Sequence, residues 1–420
     1  MKTKNREFFE YRDGLLFFGG VNLKELAAEF STPLYVYSAD IIKNNFLSYV
    51  NAFKEMNAMI CYAVKANYNS RILGTIASLG SGADVVSGGE LYMALEAGIP
   101  PEKIVFAGVG KTRREIEYAV SSGICFINIE SAQEFDTVAE VAQESGKTAG
   151  VSFRINPDID PGTHPSISTG LKKNKFGVFP KEALSLYKKA AAMENIDVRG
   201  VHVHVGSQIT SAEPIRDAAR HACSFADMLE QEGIKVTHID IGGGLGINYR
   251  EKEAPSPGDI ALELYDIFKE RNQVLVLEPG RSVVGNAGIL LTGITYFKES
   301  SHKSFAVVDA GFNDLLRPAM YGSYHRIVPV EKSGQKKVVD VVGPVCESGD
   351  FLAKSREVEG LRKGNVLAVL DAGAYGFSMS SNYNARLRPA EVMIDGGRVS
   401  LIRKRETFED LKSGEVRDEN

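Results

Sequence analysis

From about residue 59, short runs of apolar and β-branched residues alternate with segments whose apolar residues recur at helical spacing. The runs are MICYAV (59–64), GADVVS (82–87), KIVFAG (103–108), CFINIE (125–130), GVSFRIN (150–156), VRGVHVHV (198–205), HIDIGGG (238–244) and QVLVLEPG (273–280). Between them lie helical patterns such as GELYMALEAG (89–98), TRREIEYAVSSG (112–123), SAQEFDTVAEVAQESG (131–146) and KEALSLYKKAAAM (181–193). The first three of these close on a glycine in the C-cap position. Strands that are apolar along most of their length are buried on both faces, and helices between them make parallel crossover units. Eight such units in roughly 220 residues predict an α/β fold of the (β/α)8 TIM-barrel type, with an open doubly wound sheet as the rival arrangement.

After about residue 282 the texture changes. FAVVDA (305–310), KVVDVVG (337–343), NVLAVLDAG (365–373) and EVMIDGGRVSLIRK (391–404) alternate with glycine and charged turns, and DGG at 395–397 is a hairpin signal. Long helical patterns are missing, which predicts a mostly β C-terminal domain. GLLFFGGVNL (14–23) and TPLYVYS (32–38) also read as strands and can join that domain in space. The expected organisation is a barrel over 38–281, inserted into a β domain made of 1–37 and 282–420.

At 420 residues the chain exceeds the usual size of a single core, in keeping with two domains. A net charge of −5 speaks against a nucleic-acid surface, which needs a basic stripe. No run of about 18 apolar residues announces a membrane span, and no apolar stretch follows the basic residues of MKTKNREFFEYRDG, so no signal peptide is expected. Cys61, Cys125, Cys223 and Cys346 are scattered without CxxC spacing, which points to reduced cysteines, a cytoplasmic protein and no zinc ribbon.

In a barrel of this kind, catalytic groups project from the C-terminal ends of strands. Those ends here carry Lys65, Asp84, Arg154, His202, His204, the glycines 242–244, Glu278 and Arg281. A lysine delivered by a buried strand must be paired, neutral or covalently used, and the last option is a Schiff base with an aldehyde. Singly, a strand-end Asp or Arg is more often a salt bridge, and a lone histidine a satisfied core group; several on one rim mark a site. IGGGLGINY (241–249) lacks the third glycine of a dinucleotide fingerprint, since residue 247 is Ile. It suits bare backbone N–H groups around a phosphate, although a plain tight turn would use the same residues. His202 and His204, at i and i+2, share a strand face and could form a metal pair. No carboxylate–histidine spacing accompanies them and Lys65 would repel a cation, so no metal is expected; His204 instead suits stacking on a planar cofactor.

YAVKAN (62–67), HVHVGSQ (202–208), GGGLG (242–246), EPGR (278–281), CESGD (346–350) and DAGAYG (371–376) together resemble the fold-type III pyridoxal-phosphate-dependent decarboxylases of basic amino acids. RPAMYGSYH (317–325), CESGDFLA (346–353) and FRINPDIDPGTHPSISTGLKKNKFG (153–177) look like the branch acting on a diamino-dicarboxylate. The resemblance runs in order over about 35–400. It implies an alanine-racemase-like barrel with a β domain of β-barrel or Greek-key type. It implies pyridoxal 5'-phosphate bound to Lys65, with Asp84, Arg154 and His204 around it. Gly243, Gly244, Ser207 and Tyr375 would hold its phosphate, Glu278 would face its ring nitrogen, and Gly280 and Arg281 would complete the cofactor site. Arg281, Arg317, Tyr321, Glu347 and Tyr375 would bind substrate, and Cys346 would donate a proton. Cys346 and Glu347 would enter the partner's site in a homodimer.

The residue types suit that chemistry. A carboxylate at Glu278 favours a protonated ring and a strong electron sink, whereas racemases of this fold class place arginine there. A thiol is mostly protonated at neutral pH and can act as an acid; a buried apolar cysteine is the plain alternative, against which the polar turn around Cys346 speaks. Two arginines suit a distal carboxylate, and Glu347 an ammonium, as in meso-diaminopimelate, which would yield L-lysine and CO2. Carboxynorspermidine, ornithine or arginine remain alternative substrates, and a non-catalytic cofactor carrier is a third possibility. The stretch 157–171 is a candidate lid, and the polar end LKSGEVRDEN is expected to fray.

Overall fold

The computed structural model describes residues 9–157, 159, 164, 169, 175–249, 254–332 and 334–416; the candidate lid at 157–171 therefore lies largely outside the described residues. The chain divides into two compact units. One takes in the described parts of Met1–Ile42 and Val284–Asn420 together with Tyr249; the other runs from Lys43 to Asn248 and from the next described residues to Val283.

Eight parallel strands close the second unit into a barrel: Ala58–Ala63, Gly82–Val85, Ile104–Phe106, Phe126–Ile129, Ala149–Arg154, Ile196–His202, His238–Asp240 and Val274–Leu277. Each pairs with its sequence neighbours, and the eighth pairs with the first through Leu275–Ala58, Val276–Met59 and Leu277–Ile60. Closure selects the barrel over the open sheet. Cys61, Val105, Cys125, Phe126 and Val276 pack into one buried cluster. Helices between strands start where the sequence offers caps: Thr112 and Ser256 form capping boxes with Glu115 and Asp259, and Gly123 and Gly146 close helices in the left-handed conformation.

In the first unit, Phe9–Arg12, Leu15–Phe18 and Val21–Asn22 make a small antiparallel sheet. Among the described residues the main sheet has nine strands and is branched: Val366–Val369 pairs with both Gly288–Glu299 and Ile327–Pro329. Leu34–Ser38 lies inside it, antiparallel to Gly288–Glu299 and parallel to Ala390–Asp395. An N-terminal strand thus completes a C-terminal sheet. Gly396 and Gly397, both at positive φ, close the two-residue hairpin between Asp395 and Arg398.

Local differences from the sequence pattern matter for the site. Lys65 sits on a 3₁₀ turn, Val64–Ala66, just past its strand. His204 lies beyond its strand, which ends at His202, so the two histidines do not share a strand face. Arg281 opens a single helical turn, Arg281–Val284. Helices Leu23–Phe30 and Ala39–Ala52, unmarked by the pattern, flank the N-terminal strand. Among the described residues no helix is long and apolar enough to cross a membrane.

Candidate active site

In the barrel unit, Nζ of Lys65 donates to Oδ2 of Asp84 at 2.5 Å. The carboxylate is fully buried while the lysine side chain is 34% exposed, so the amine is anchored yet reachable. Asp84 Oδ1 has no hydrogen-bond partner among the described residues. Tyr62 and Asn69 shape the turn: the Tyr62 hydroxyl donates to the Asn67 carbonyl at 3.1 Å, and Asn69 caps the next helix at Arg71.

The end of the barrel interior is polar. Buried His202, Asp240 and Glu278 bring ligand atoms within 4.8 Å of one another. Asn128 Nδ2 donates to Asp240 Oδ2 at 3.3 Å; their strands, fourth and seventh, are not neighbours, so this bond spans the interior. Burial raises the Glu278 carboxyl well above its usual range, the charges of Asp240 and Asp84 add to the rise, and Lys65 opposes it. Burial also pushes Asp240 up to about 7, against hydrogen bonds from Gly242, Glu278 and Asn128. Two carboxyls this close hold a proton between them at neutral pH. Burial likewise lifts Glu90 to about 7, with Lys65 pulling it back. His202 and His204 are pushed well below the usual histidine range by burial first and Arg154 next, so both rings are neutral. The trio of His202, Asp240 and Glu278 has metal-ligand chemistry, but the positive charges of Lys65, Arg154 and Lys111 bear on His202 and oppose a second cation there.

The glycine turn is packed against the rim. A Cβ on Gly243 would lie 2.0 Å from the Glu278 carbonyl, and one on Gly244, at φ +107°, 2.3 Å from the Gly206 carbonyl. Gly242 N donates to Asp240 Oδ1 at 2.9 Å, and Gly243 N to His204 Nδ1 at 3.3 Å, which leaves the His204 proton on Nε2. Glu278 N donates to the Gly242 carbonyl at 2.8 Å. Gly280 fits closely against Ala63 and Ala66, so the EPGR turn abuts the turn carrying Lys65. Arg281 Nη2 donates to Ser207 Oγ at 3.0 Å. Arg154 donates to Glu130 at 2.8 Å and to the His204 carbonyl at 3.4 Å, and stacks over Phe176.

Within the β unit, Arg317 and Tyr321 share the short helix Arg317–Tyr321, and Arg317 is buried. Tyr375 stands at φ +55° in the segment that begins with Asp371. Cys346 and Glu347 lie in an exposed turn. Asp350 pins that turn by accepting from Val345 N at 2.6 Å and Phe312 N at 2.7 Å; Cys346 N donates to Asn384 at 3.0 Å, and the Tyr383 hydroxyl donates to Glu347. All four cysteines are free, and Cys346 alone among them is exposed.

Sequence reasoning missed Glu90, Glu130, Asp240 and His325. Ser87-x-x-Glu90 reads as a capping box, but the Glu90 carboxylate accepts from Val86 N instead of the cap residue. Asp240 reads as a strand residue ahead of the glycines; an acid between Ile239 and Ile241 at the end of a buried strand was the available signal.

Residues 39–285 match the family described as pyridoxal-dependent decarboxylase, pyridoxal binding domain. A diaminopimelate decarboxylase of Aquifex aeolicus is 53% identical over 404 residues, covering 96% of each chain. The solved diaminopimelate decarboxylase of Helicobacter pylori, complexed with L-lysine, superposes with a TM-score of 0.91 at 44% identity, over 93% of this chain and 98% of that one. Its counterpart from Methanocaldococcus jannaschii, also in complex with L-lysine, gives 0.92 at 43% identity over 98% of both. On its fold, its ordered motifs and these full-length similarities, the chain belongs to the diaminopimelate decarboxylase family of pyridoxal-dependent decarboxylases.

Proposed function

We propose that this chain binds pyridoxal 5'-phosphate and decarboxylates meso-diaminopimelate to L-lysine and CO2, the last step of lysine biosynthesis. The observation that carries the proposal is a reachable lysine amine anchored by a buried aspartate at the rim of a barrel whose glycine turn is too crowded for any side chain. The residues present fit the cofactor. Oε1 of Glu278 and Oδ1 of Asp84 are buried and have no hydrogen-bond partner among the described residues. The glycines 242–244 supply a side-chain-free cradle of the kind phosphates occupy. Two solved relatives hold L-lysine, the product of this reaction.

When bound, the cofactor supplies an electron-accepting ring for the electron pair left at Cα as CO2 departs. Lys65 offers the amine for its aldehyde, and Asp84 keeps that amine in place. Glu278 is the group for the ring nitrogen: its carboxyl stores a proton at neutral pH and, once it has given the proton up, leaves a charge that favours a cationic ring. Neutral His204, fixed through Gly243, offers a ring face without a competing charge. Gly243, Gly244, Ser207 and Tyr375 serve the phosphate. Arg281, Arg317, Tyr321 and Glu347 serve the distal carboxylate and ammonium, and the thiol of Cys346 donates the proton that replaces the lost carboxyl group. The exposure of the Cys346–Glu347 turn is in keeping with its use by the partner in a homodimer.

The test is steady-state lysine formation from meso-diaminopimelate with pyridoxal phosphate present. Turnover there and none on ornithine is the expected result. Turnover on ornithine alone overturns the substrate assignment, and no turnover on either amino acid favours a carrier.

A further inference from the structure

His325 carries no role in the chemistry above, yet its surroundings fix it completely. Its side chain is wholly buried. Nε2 stands 2.9 Å from Nη1 of Arg317, and Nδ1 stands 2.9 Å from the carbonyl of Leu370. A guanidinium can only donate and a carbonyl can only accept. Nε2 must therefore be the acceptor and Nδ1 must carry the proton: His325 is neutral and held in a single tautomer. The ring of Tyr249 completes the setting. The Arg317 guanidinium lies 4.6 Å from its centroid, and the His325 ring meets it edge-on at 5.3 Å.

These contacts constrain the guanidinium in two ways. The Tyr249 face sets its plane, and the bond to Nε2 sets its rotation within that plane. A bidentate grip on a carboxylate depends on just these two degrees of freedom, because its two parallel bonds tolerate little rotation of the fork. The backbone carbonyl of Leu370 supplies the fixed end of the chain, so the orientation is referred to the sheet strand Val366–Val369 that precedes it.

We infer that His325 is a positioning residue that orients Arg317 for the substrate's distal carboxylate, and so sets affinity for the dicarboxylate without touching it. The inference rests on the proposed role of Arg317. It makes a specific demand on the product as well. Decarboxylation removes the reacting carboxylate and leaves the distal one, so L-lysine still carries the group that Arg317 grips. Substrate KM and the inhibition constant for L-lysine must rise together.

Two variants separate the nitrogens. His325→Asn places an amide near Nδ1 and leaves no acceptor for Arg317. His325→Gln places an amide oxygen near Nε2 and restores the acceptor. The holoenzyme of each is assayed on meso-diaminopimelate, with L-lysine as inhibitor and Arg317→Ala as reference. For His325→Asn, KM and the lysine inhibition constant should both rise about tenfold while kcat stays within about twofold, and His325→Gln should recover most of the loss. An unchanged KM in His325→Asn alongside a raised KM in Arg317→Ala overturns the inference alone. An unchanged KM in Arg317→Ala overturns the underlying assignment of the carboxylate. If His325→Asn does not fold, His325→Gln decides: a KM near the parent's supports the inference, and one raised as far as in Arg317→Ala overturns it.

Discussion

Lys65, Asp84, Glu90, Asp240 and Glu278 concentrate ionisable groups where water is scarce, and burial is the first cause of the shifts at Glu90, Asp240 and Glu278. That has a consequence for stability. Asp240 moves from an ordinary value of 3.8 to about 7 in the fold, so the folded chain binds an extra proton between those limits. Its contribution is fully present below about pH 4 and is lost as pH rises through about 7. Asp240→Asn is neutral throughout and should gain on the parent across that window. The difference in Tm between the two cofactor-free proteins should grow steadily from pH 4 to 7; a constant difference contradicts the assignment. At this scale the sequence exposed Lys65, His204 and Glu278, because each is a polar residue that closes an apolar run. It hid Glu90 behind a capping pattern, and hid His325 because a tautomer is defined by what lies 2.9 Å away on Leu370, 45 positions along the chain.

Among the elements, the glycine turn does more than reverse the chain. It joins the seventh strand to the eighth through Asp240, Gly242 and the backbone of Glu278, and it orients His204 through Gly243. A methyl group at Gly243 would collide with a backbone carbonyl, which cannot step aside as a flexible side chain can. Gly243→Ala should weaken cofactor binding by at least about tenfold, measured by the return of cofactor absorbance on titrating the cofactor-free protein. Binding equal to the parent's would show that the turn is not the cradle. The eight strands were legible because buried parallel strands are apolar on both faces, and the helices because caps and glycines bounded them. The strand ends were less so: VHVHV reads as one continuous strand, yet the ladder stops at His202. Helix Ala39–Ala52 escaped because it follows TPLYVYS without a turn signal.

For the whole molecule, Leu34–Ser38 pairs with both Gly288–Glu299 and Ala390–Asp395, so strands from before and after the barrel strands in sequence share one sheet. The texture change near residue 282 announced the second unit, but strand order in a branched sheet is a long-range property that local pattern does not encode. The exposed turn bearing Cys346 belongs to this scale, since the homodimer reading assigns it to a neighbour's site. Mixing Lys65→Ala with Cys346→Ala, each inactive alone, should restore about a quarter of parental activity once subunits exchange, because half the dimers then hold one intact site. No recovery after verified exchange would place Cys346 in its own subunit's site or outside the site altogether.

The central claim concerns one amine, and it can be tested without turnover. The protein is loaded with pyridoxal 5'-phosphate, reduced with borohydride, digested, and its peptides are weighed. The account predicts a stable cofactor adduct on Lys65, absent in Lys65→Ala together with the cofactor's visible absorbance. An unmodified Lys65, or an adduct on another lysine, would contradict it.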